Sequence, residues 1–339
     1  MTTTAAPQDQ IIRLMRVSED QRGLVWIKDS LQAAIALELS TIPPYLCGLW
    51  SIKNGDEAAE LIRGIVIDEM FHMGLVCNML SGIGGTPDII AAAPVYPGPL
   101  PGGVRPQLCV YLSGLTRDYV HDVFMEIEMP EHPVASLVAG PPTIGAFYDA
   151  LNAAFQAVRP PISMSNQLGP RNVGTNNILK PLENLLDVES AIALIKGQGE
   201  GNSTSPEAPQ SGGEFAHYYK FGEIYHGREL RQVNGKWEFT GDVVPFPDVY
   251  PMGVVPAGGW PDPAEHVRDL LRTFNEAYTD ILQDLEKAWA EGSNAVLGGS
   301  IGKMFALQSA AQELFETPLP GGEGSYGPDF RAVASGDPQ

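Results

Sequence analysis

Two triplets with the spacing Glu-x-x-His constrain most strongly what this chain of 339 residues can fold into. They are Glu69-Met-Phe-His72 and Glu214-Phe-Ala-His217, and each lies in an apolar segment whose periodicity predicts a helix. Residues three apart on a helix differ by about 60° around its axis, so both side chains can reach one metal ion. The triplets therefore predict a metal site between helices.

A further glutamate precedes each triplet in a similar setting. Glu38 lies in LQAAIALELS and Glu200 in ALIKGQGEG. A carboxylate inside an apolar stripe is costly unless it is paired or binds a metal. One Glu from each of two helices, with Glu-x-x-His from each of two others, is the ligand set of dinuclear metal sites in four-helix bundles.

Charge and cysteine content restrict the partners. The formal net charge of −20 argues against nucleic acid, and no Lys/Arg cluster indicates an anionic membrane surface, so a small-molecule substrate is the simpler partner. The three cysteines, Cys47, Cys77 and Cys109, lack Cys-x-x-Cys spacing, which favours a reduced compartment. MTTTAAPQDQ has no signal-peptide pattern, and no apolar run has the length of a membrane span. We predict a soluble cytoplasmic protein.

The periodicity predicts a single elaborated domain over 18–316, all-α, with flexible termini at 1–17 and 317–339. Its expected parts are bundle helices at about 19–50, 56–82, 187–200 and 213–230, a crossover insertion at 86–181 and C-terminal helices within 263–316. Pro43-Pro44 predicts either a kink in the first bundle helix or a helix that ends there and restarts. Asn234-Gly235 predicts a small β-hairpin.

Several other residues compete for roles at the site. Glu223-Ile-Tyr-His226 is a third Glu-x-x-His, but Glu223 follows Glu214 by nine residues and would face the opposite side of the same helix, so we favour Glu214 with His217. Glu126 and Glu128, before Met129-Pro130, are typical of solvated charge.

Two aromatic residues are our candidates for a catalytic role. Tyr45 follows Glu38 by one heptad, and Tyr218 lies one turn from Glu214. Both would therefore lie near the metal ions.

The chain resembles the ferritin-like superfamily, and more narrowly the proteins related to the iminophenyl-pyruvate dimer synthase domain of violacein-type pigment biosynthesis. The motifs that carry this resemblance are LQAAIALELSTIPPYL, IRGIVIDEMFHMGLVCNMLSGIGGTP, GQGEG and EFAHYYKFGEIYHG, within 18–230. The resemblance implies a ferritin-like four-helix bundle, a link to secondary metabolism, and two metals, bridged by one or two glutamates. The residues it implies as ligands are Glu38, Glu69, His72, Glu200, Glu214 and His217.

Carboxylate-rich ligation suits two iron or, alternatively, two manganese ions. We therefore expect a di-iron or di-manganese oxidoreductase that uses O₂ or peroxide on a small organic metabolite, amino-acid-derived or aromatic. The alternatives are iron binding or storage, a manganese catalase, and a helical scaffold held by buried salt bridges. The sequence leaves a homo-oligomer open.

Overall fold

Helices dominate the structure. A computed structural model of the chain describes residues 9–130, 143–174, 176–199, 205–208 and 213–333. The helices in these ranges are α1 (Gln10–Met15), α2 (Leu24–Trp50), α3 (Glu57–Gly82), α4 (Arg117–Tyr119, continued by a π-helical segment, Val120–Met125), α5 (Ile144–Val158), α6 (Leu185–Gly199), α7 (His217–His226), α8 (Glu265–Glu291) and α9 (Asn294–Phe315), with short 3₁₀ turns at Glu19–Gln21 and Pro101–Gly103.

The strands form three separate antiparallel pairs. They are β1 (Gly98–Pro99) with β2 (Cys109–Val110), β3 (Arg171–Val173) with β4 (Asn177–Leu179), and β5 (Arg228–Val233) with β6 (Lys236–Val243). Asn234 and Gly235 both have positive φ, at 51° and 79°, as the tight turn between β5 and β6 requires. The predicted all-α architecture and the hairpin at Asn234-Gly235 are confirmed, and two further short strand pairs accompany them.

Four helices make the bundle: α2 and α3, joined by the short loop 51–56, and α6 and α7, reached by a long crossover. The Asp56 side chain caps α3 by accepting from the Ala59 N–H at 3.0 Å. α2 is buried on nearly all sides from Trp26 to Trp50, because the insertion and the C-terminal helices cover it as well. Its apolar residues therefore form no single stripe.

α2 continues through Pro43 and Pro44 without ending, which decides between the two alternatives left by the sequence. Pro44 has no N–H to donate to the Ser40 carbonyl one turn back. The Tyr96 hydroxyl, from the insertion, donates to that carbonyl at 2.6 Å instead. The insertion thus supplies the hydrogen bond that the Ser40 carbonyl lacks because residue 44 is a proline.

Asn78 joins α3 to the layers around it. Its fully buried amide accepts from the Leu168 N–H and the Trp289 indole N–H and donates to the Leu168 and Lys180 carbonyls, at 2.9 to 3.2 Å. α8 and α9 pack as a pair on the outer side of α2 and α3. One polar side chain therefore fixes the crossover and α8 relative to the bundle.

Three boundaries differ from expectation. Residues 10–15, expected to lie in a flexible terminus, form α1 and bury the Ile11 side chain. The fourth bundle helix begins at His217 rather than near 213, because the backbone before it pairs with 206–208: Ala208 donates to the Glu214 carbonyl at 2.7 Å and Ala216 to the Pro206 carbonyl at 2.9 Å. Residues 317–333, expected to be loose, bury the side chains of Tyr326 and Phe330. The outermost termini, 1–8 and 334–339, lie outside the described residues. Among the described helices, none has the length and apolar character needed to cross a bilayer.

Candidate metal centre

Two groups of carboxylate and imidazole donors meet inside the bundle and share one residue. The first group is Glu38, Glu69 and His72, and the second is Glu69, Glu128 and His217. Within each group one donor atom per residue lies within 4.8 Å of the others, and all five residues are buried. Glu69 belongs to both groups, so the two groups form one continuous cluster.

α2 and α3 supply the first group. Glu38 and Glu69 face each other across the helix pair, and His72 follows Glu69 by one helical turn. The His72 Nδ1 lies 3.6 Å from Glu38 Oε2 and 3.6 Å from Glu69 Oε1. Its Nε2 lies 2.8 Å from the Gln198 amide oxygen on α6, an acceptor, so Nε2 carries the proton. The Nδ1 atom is therefore the one that faces the two carboxylates.

The second group has the same arrangement around His217. The His217 Nε2 donates to Asp68 Oδ2 at 3.3 Å, and Asp68 also accepts from the Asn177 amide at 2.7 Å. The Nδ1 lies 2.9 Å from Glu69 Oε1 and 3.7 Å from Glu128 Oε1. A carboxylate behind the ring that fixes the opposite nitrogen is the usual outer support of a metal-bound histidine.

The Nδ1 of His217 is the strongest sign that this cluster is built for a cation. The ring is fully buried, and Nδ1 has no hydrogen-bond partner among the described residues although Glu69 Oε1 is only 2.9 Å away. Buried polar atoms are nearly always paired, and a ring nitrogen that lies between two carboxylates can bind a metal ion once it loses its proton. The donor set, rich in carboxylate oxygen with two imidazoles, suits iron or manganese.

The charges of the cluster are strongly coupled. Burial opposes the charged form of His72, but its contacts with Glu38 and Glu69 outweigh this and raise the pKa of His72 to about 10. Despite burial, the pKa of His217 is likewise raised well above its usual value, by Asp68, Glu128 and Glu69. Burial also opposes ionisation of Glu69, yet the two imidazoles hold the pKa of Glu69 well below its usual range. The pKa of Glu38, in contrast, is raised by burial and by the charge of Glu69. Without metal, two imidazolium protons thus neutralise part of the carboxylate charge.

Three hydroxyl groups hold the carboxylates in place. The Tyr148 hydroxyl, from α5 in the insertion, donates to Glu38 Oε1, and the Tyr45 hydroxyl donates to Glu128 Oε1 at 2.6 Å. The Thr41 Oγ1 lies 2.8 Å from both Glu69 Oε2 and the Glu38 carbonyl oxygen, and its single proton can go to one of them at a time. Burial and the adjacent carboxylates raise the pKa values of Tyr45 and Tyr148 well above those of free phenols.

A small cavity lies against this cluster. It leaves about 40 Å³ for the centres of water-sized molecules, enough for a few of them. Its walls are apolar except for the candidate ligands, Thr41, Tyr148 and Lys196. The last described residue of α6, Gly199, also lines it.

The structure brings together five of the eight site residues predicted from sequence: Glu38, Glu69, His72, His217 and Tyr45. Glu200 lies outside the described residues, so its predicted role stays a prediction. Glu214 is not in either donor group; its side chain is 45% exposed and hydrogen-bonds to Asn176 and Lys220. The Glu-x-x-His spacing brings two side chains to one metal ion only when both residues lie in the same helix. Glu214 precedes the first residue of α7, so the spacing does not apply to it. Tyr218 is half-buried, packs on Tyr219 and does not line the small cavity.

Sequence reasoning missed four residues that complete the cluster: Asp68, Glu128, Tyr148 and Gln198. Glu128, expected to be solvated, is 6% exposed and directly follows the helical turn after the π-helical segment. Its alternation with apolar Met125, Ile127 and Met129 indicates exposure rather than burial, so the sequence carries no signal for Glu128. Tyr148 carries no spacing signal either.

Glu223 and His226, the rejected third triplet, take other roles. The buried Glu223 carboxylate accepts from the Leu230 N–H at 2.8 Å, where β5 begins. The exposed His226 ring stacks on Phe239 with centroids 4.3 Å apart. Both support the hairpin rather than the donor cluster.

Comparison with known proteins agrees with this architecture. A crystal structure of a ferritin-like protein from Caulobacter vibrioides superposes with a TM-score of 0.63 at 24% sequence identity, covering 90% of this chain and 97% of that one. No curated protein matches the chain significantly. The model of the ferritin-like family matches residues 31–226, which span α2 to α7 and all five donor residues. The chain therefore belongs to the ferritin-like family.

Proposed function

We propose that this protein is a dinuclear-metal oxidoreductase that uses O₂ or peroxide to oxidise a small organic metabolite. The observation that carries the proposal is the shared Glu69 carboxylate, flanked by one imidazole and one further carboxylate on each side. Glu38, Glu69 and His72 would hold one ion, and Glu69, Glu128 and His217 the other. Two iron ions fit this donor set, with manganese as the alternative.

Bound iron or manganese would supply the redox chemistry with the oxidant. Three protein ligands for each ion are fewer than the coordination number that either metal prefers, so room is left for small molecules at the cluster. The three carboxylates carry three negative charges against four positive ones, and Asp68, behind His217, adds a fourth negative charge. The site is therefore close to neutral when both ions are present.

The two phenols keep protons beside the ligands. Tyr45 and Tyr148 stay neutral because burial and the carboxylates raise their pKa values, and each donates its proton toward a ligand carboxylate oxygen. Each phenol therefore orients one carboxylate. Reduction of O₂ or peroxide consumes protons, but a phenol with a raised pKa is a weak acid, so we assign Tyr45 and Tyr148 the role of holding the carboxylates rather than of supplying those protons.

The small cavity, about 40 Å³, has room for O₂ or peroxide at the cluster but not for a whole aromatic molecule, which would have to bind at its edge. Leu37, Ile127, Ile144 and Ile195 make its walls largely apolar. The resemblance of the sequence motifs to the iminophenyl-pyruvate dimer synthase family supports an aromatic or amino-acid-derived molecule.

Metal analysis tests the proposal directly. After anaerobic loading with Fe(II) or Mn(II), we expect about two ions per chain. His72→Ala and His217→Ala should each reduce this number, whereas His266→Ala, at an exposed position on α8, should not. Oxidant consumption should then require both the loaded metal and a compound from a panel of aromatic amino acids and their 2-oxo acids.

Other outcomes would replace the proposal. No bound metal after loading would leave a scaffold of buried ion pairs. Oxygen evolved from peroxide without any organic compound would indicate a catalase, and a 24-subunit shell that accumulates iron would indicate storage.

A further inference from the structure

A second, larger cavity lies on the other side of α2 and α3, under the C-terminal helices. It leaves about 470 Å³ for the centres of water-sized molecules, compared with about 40 Å³ at the candidate metal centre. An apolar cavity of roughly 150 Å³ already accommodates a benzene-sized molecule. Among the described residues, the two cavities share no lining residue.

The walls of this cavity are apolar and long. α2 contributes residues from Leu39 to Trp50 and α3 residues from Arg63 to Gly74, which at 1.5 Å per residue is about 16 Å along each helix. α8 and α9 form the opposite wall with leucines, isoleucines, Trp289 and Met304. This elongated shape fits an extended hydrocarbon chain better than a compact ring system.

The charged residues that line the cavity are all positively charged. Its only charged residues in the described part of the chain are Arg63 and Arg171, both at least partly exposed at the rim, although the whole chain has a net charge of −20. Arg63 pairs with the exposed Glu60 one turn away, and Arg171 donates to the Asn294 carbonyl at 3.4 Å. Such exposed contacts contribute little stability, so both guanidinium groups can exchange them for a ligand anion.

Tyr278 gives a second, independent indication. It lines the cavity from α8, is 5% exposed, and its buried hydroxyl has no hydrogen-bond partner among the described residues. An orphaned hydroxyl beside an apolar cavity is expected to find its partner in a bound molecule or an ordered water.

We propose that this cavity binds an anionic amphiphile, of which a long-chain fatty acid is the simplest member. The acyl tail would lie between the α2–α3 pair and the α8–α9 pair, with the carboxylate at the arginines of the rim. The alternative occupant is a second copy of the chain, which would bury the 75% exposed Phe305 of α9 at the edge of the cavity.

Isothermal titration calorimetry with saturated fatty acids of increasing length tests the proposal on the full-length protein. Affinity should rise about fourfold for each added methylene until the tail fills the cavity, and then level off. Dodecanol, matched in length but uncharged, should bind about 10- to 100-fold more weakly than dodecanoate. Equal binding of the two would overturn the assignment of an anionic ligand.

Substitutions locate the ligand. The double variant Arg63→Gln/Arg171→Gln should lose about 10- to 100-fold in dodecanoate affinity and none for dodecanol. The matched control is Arg268→Gln/Arg272→Gln on α8, which removes the same charge at exposed positions outside the cavity. An equal loss in both double variants would mean that general electrostatics, and not the rim, attracts the anion.

Filling the cavity gives a charge-independent check. Val66→Phe and Ile281→Phe add volume from opposite walls and should weaken dodecanoate at least tenfold, whereas Val25→Phe, at a 73% exposed position, should not. If the filled variants do not fold, the chain-length series in the unmodified protein still decides. Absence of saturable binding, or a dimer in analytical ultracentrifugation that Phe305→Lys dissociates and that excludes dodecanoate, would overturn the proposal.

Discussion

Replacing Glu128 with glutamine separates the donor set seen in the structure from the one predicted by spacing alone. Glu128 is 6% exposed, and its Oε1 lies 3.7 Å from the His217 Nδ1. Glu214, favoured by the Glu-x-x-His spacing, is largely at the surface, paired with Lys220 at 3.2 Å. The same substitution, Glu to Gln, can be made at both positions with almost no change in volume.

The size of the expected effect follows from electrostatics. Two unit charges about 4 Å apart interact by about 4 kcal/mol at an effective dielectric constant of 20, and a divalent ion doubles the charge on one side. Removing the Glu128 charge should therefore lower the affinity for the second ion by at least about 1000-fold. The amide introduced by Glu128→Gln would keep only a neutral oxygen as a poor ligand. At Glu214 solvent screens the charge, so we expect less than a twofold effect.

Anaerobic titration with Fe(II), followed by metal analysis after desalting, measures both numbers. The unmodified protein should retain about two ions per chain, Glu128→Gln about one, and Glu214→Gln about two. Thermal unfolding of the metal-free proteins should accompany the titration to confirm that both variants are folded. If Glu214→Gln loses an ion while Glu128→Gln keeps two, the cluster we describe is not the ligand set.

Three further predictions concern packing and support of the site. Gly48→Ala should destabilise the protein by about 1–3 kcal/mol in urea unfolding, since a Cβ there would lie 2.9 Å from an aromatic ring of the π-helical segment, whereas Gly64→Ala, with open space in α3, should be neutral or stabilising by up to about 1 kcal/mol. Asn78→Ala should lower the free energy of unfolding by about 3–5 kcal/mol, because four backbone and indole groups lose their partner. Gln198→Ala should weaken metal binding about 10- to 100-fold without changing charge, because Nε2 of His72 loses the acceptor that orients the ring; unchanged affinity would contradict that role.

The sequence was most informative where local geometry determines the outcome. Glu69 and His72 lie in one uninterrupted helix, so their spacing translated directly into a shared direction. The Asn234-Gly235 turn also depends only on local backbone preference. Glu38 was recognisable because a carboxylate stood at an apolar position of a long helical pattern.

Residues brought in by tertiary structure were harder to predict. Glu128 reaches the cluster through the insertion, and Tyr148 through a helix of the same insertion, and no spacing relates either to Glu69. Glu214 shows the opposite kind of error, a residue that was predicted to be a ligand but is not in the cluster. Its spacing to His217 is that of a helix, but the backbone of this segment pairs with 206–208, so the helix begins only at His217. Local periodicity cannot reveal which segment competes for those backbone groups.

The positions of the two cavities explain why α2 is mostly apolar although it contributes Glu38 to the donor cluster. Consecutive residues on a helix point about 100° apart, so Glu38 lies in the candidate metal centre while Leu39 lies in the wall of the apolar cavity. On α3, Glu69 and Met70 are separated in the same way. A plain four-helix bundle would leave the second face to solvent, where its leucines and methionines would be a liability. α8 and α9 cover that face but do not fill the space beneath them, so the C-terminal helices create the large cavity rather than simply stabilise the bundle.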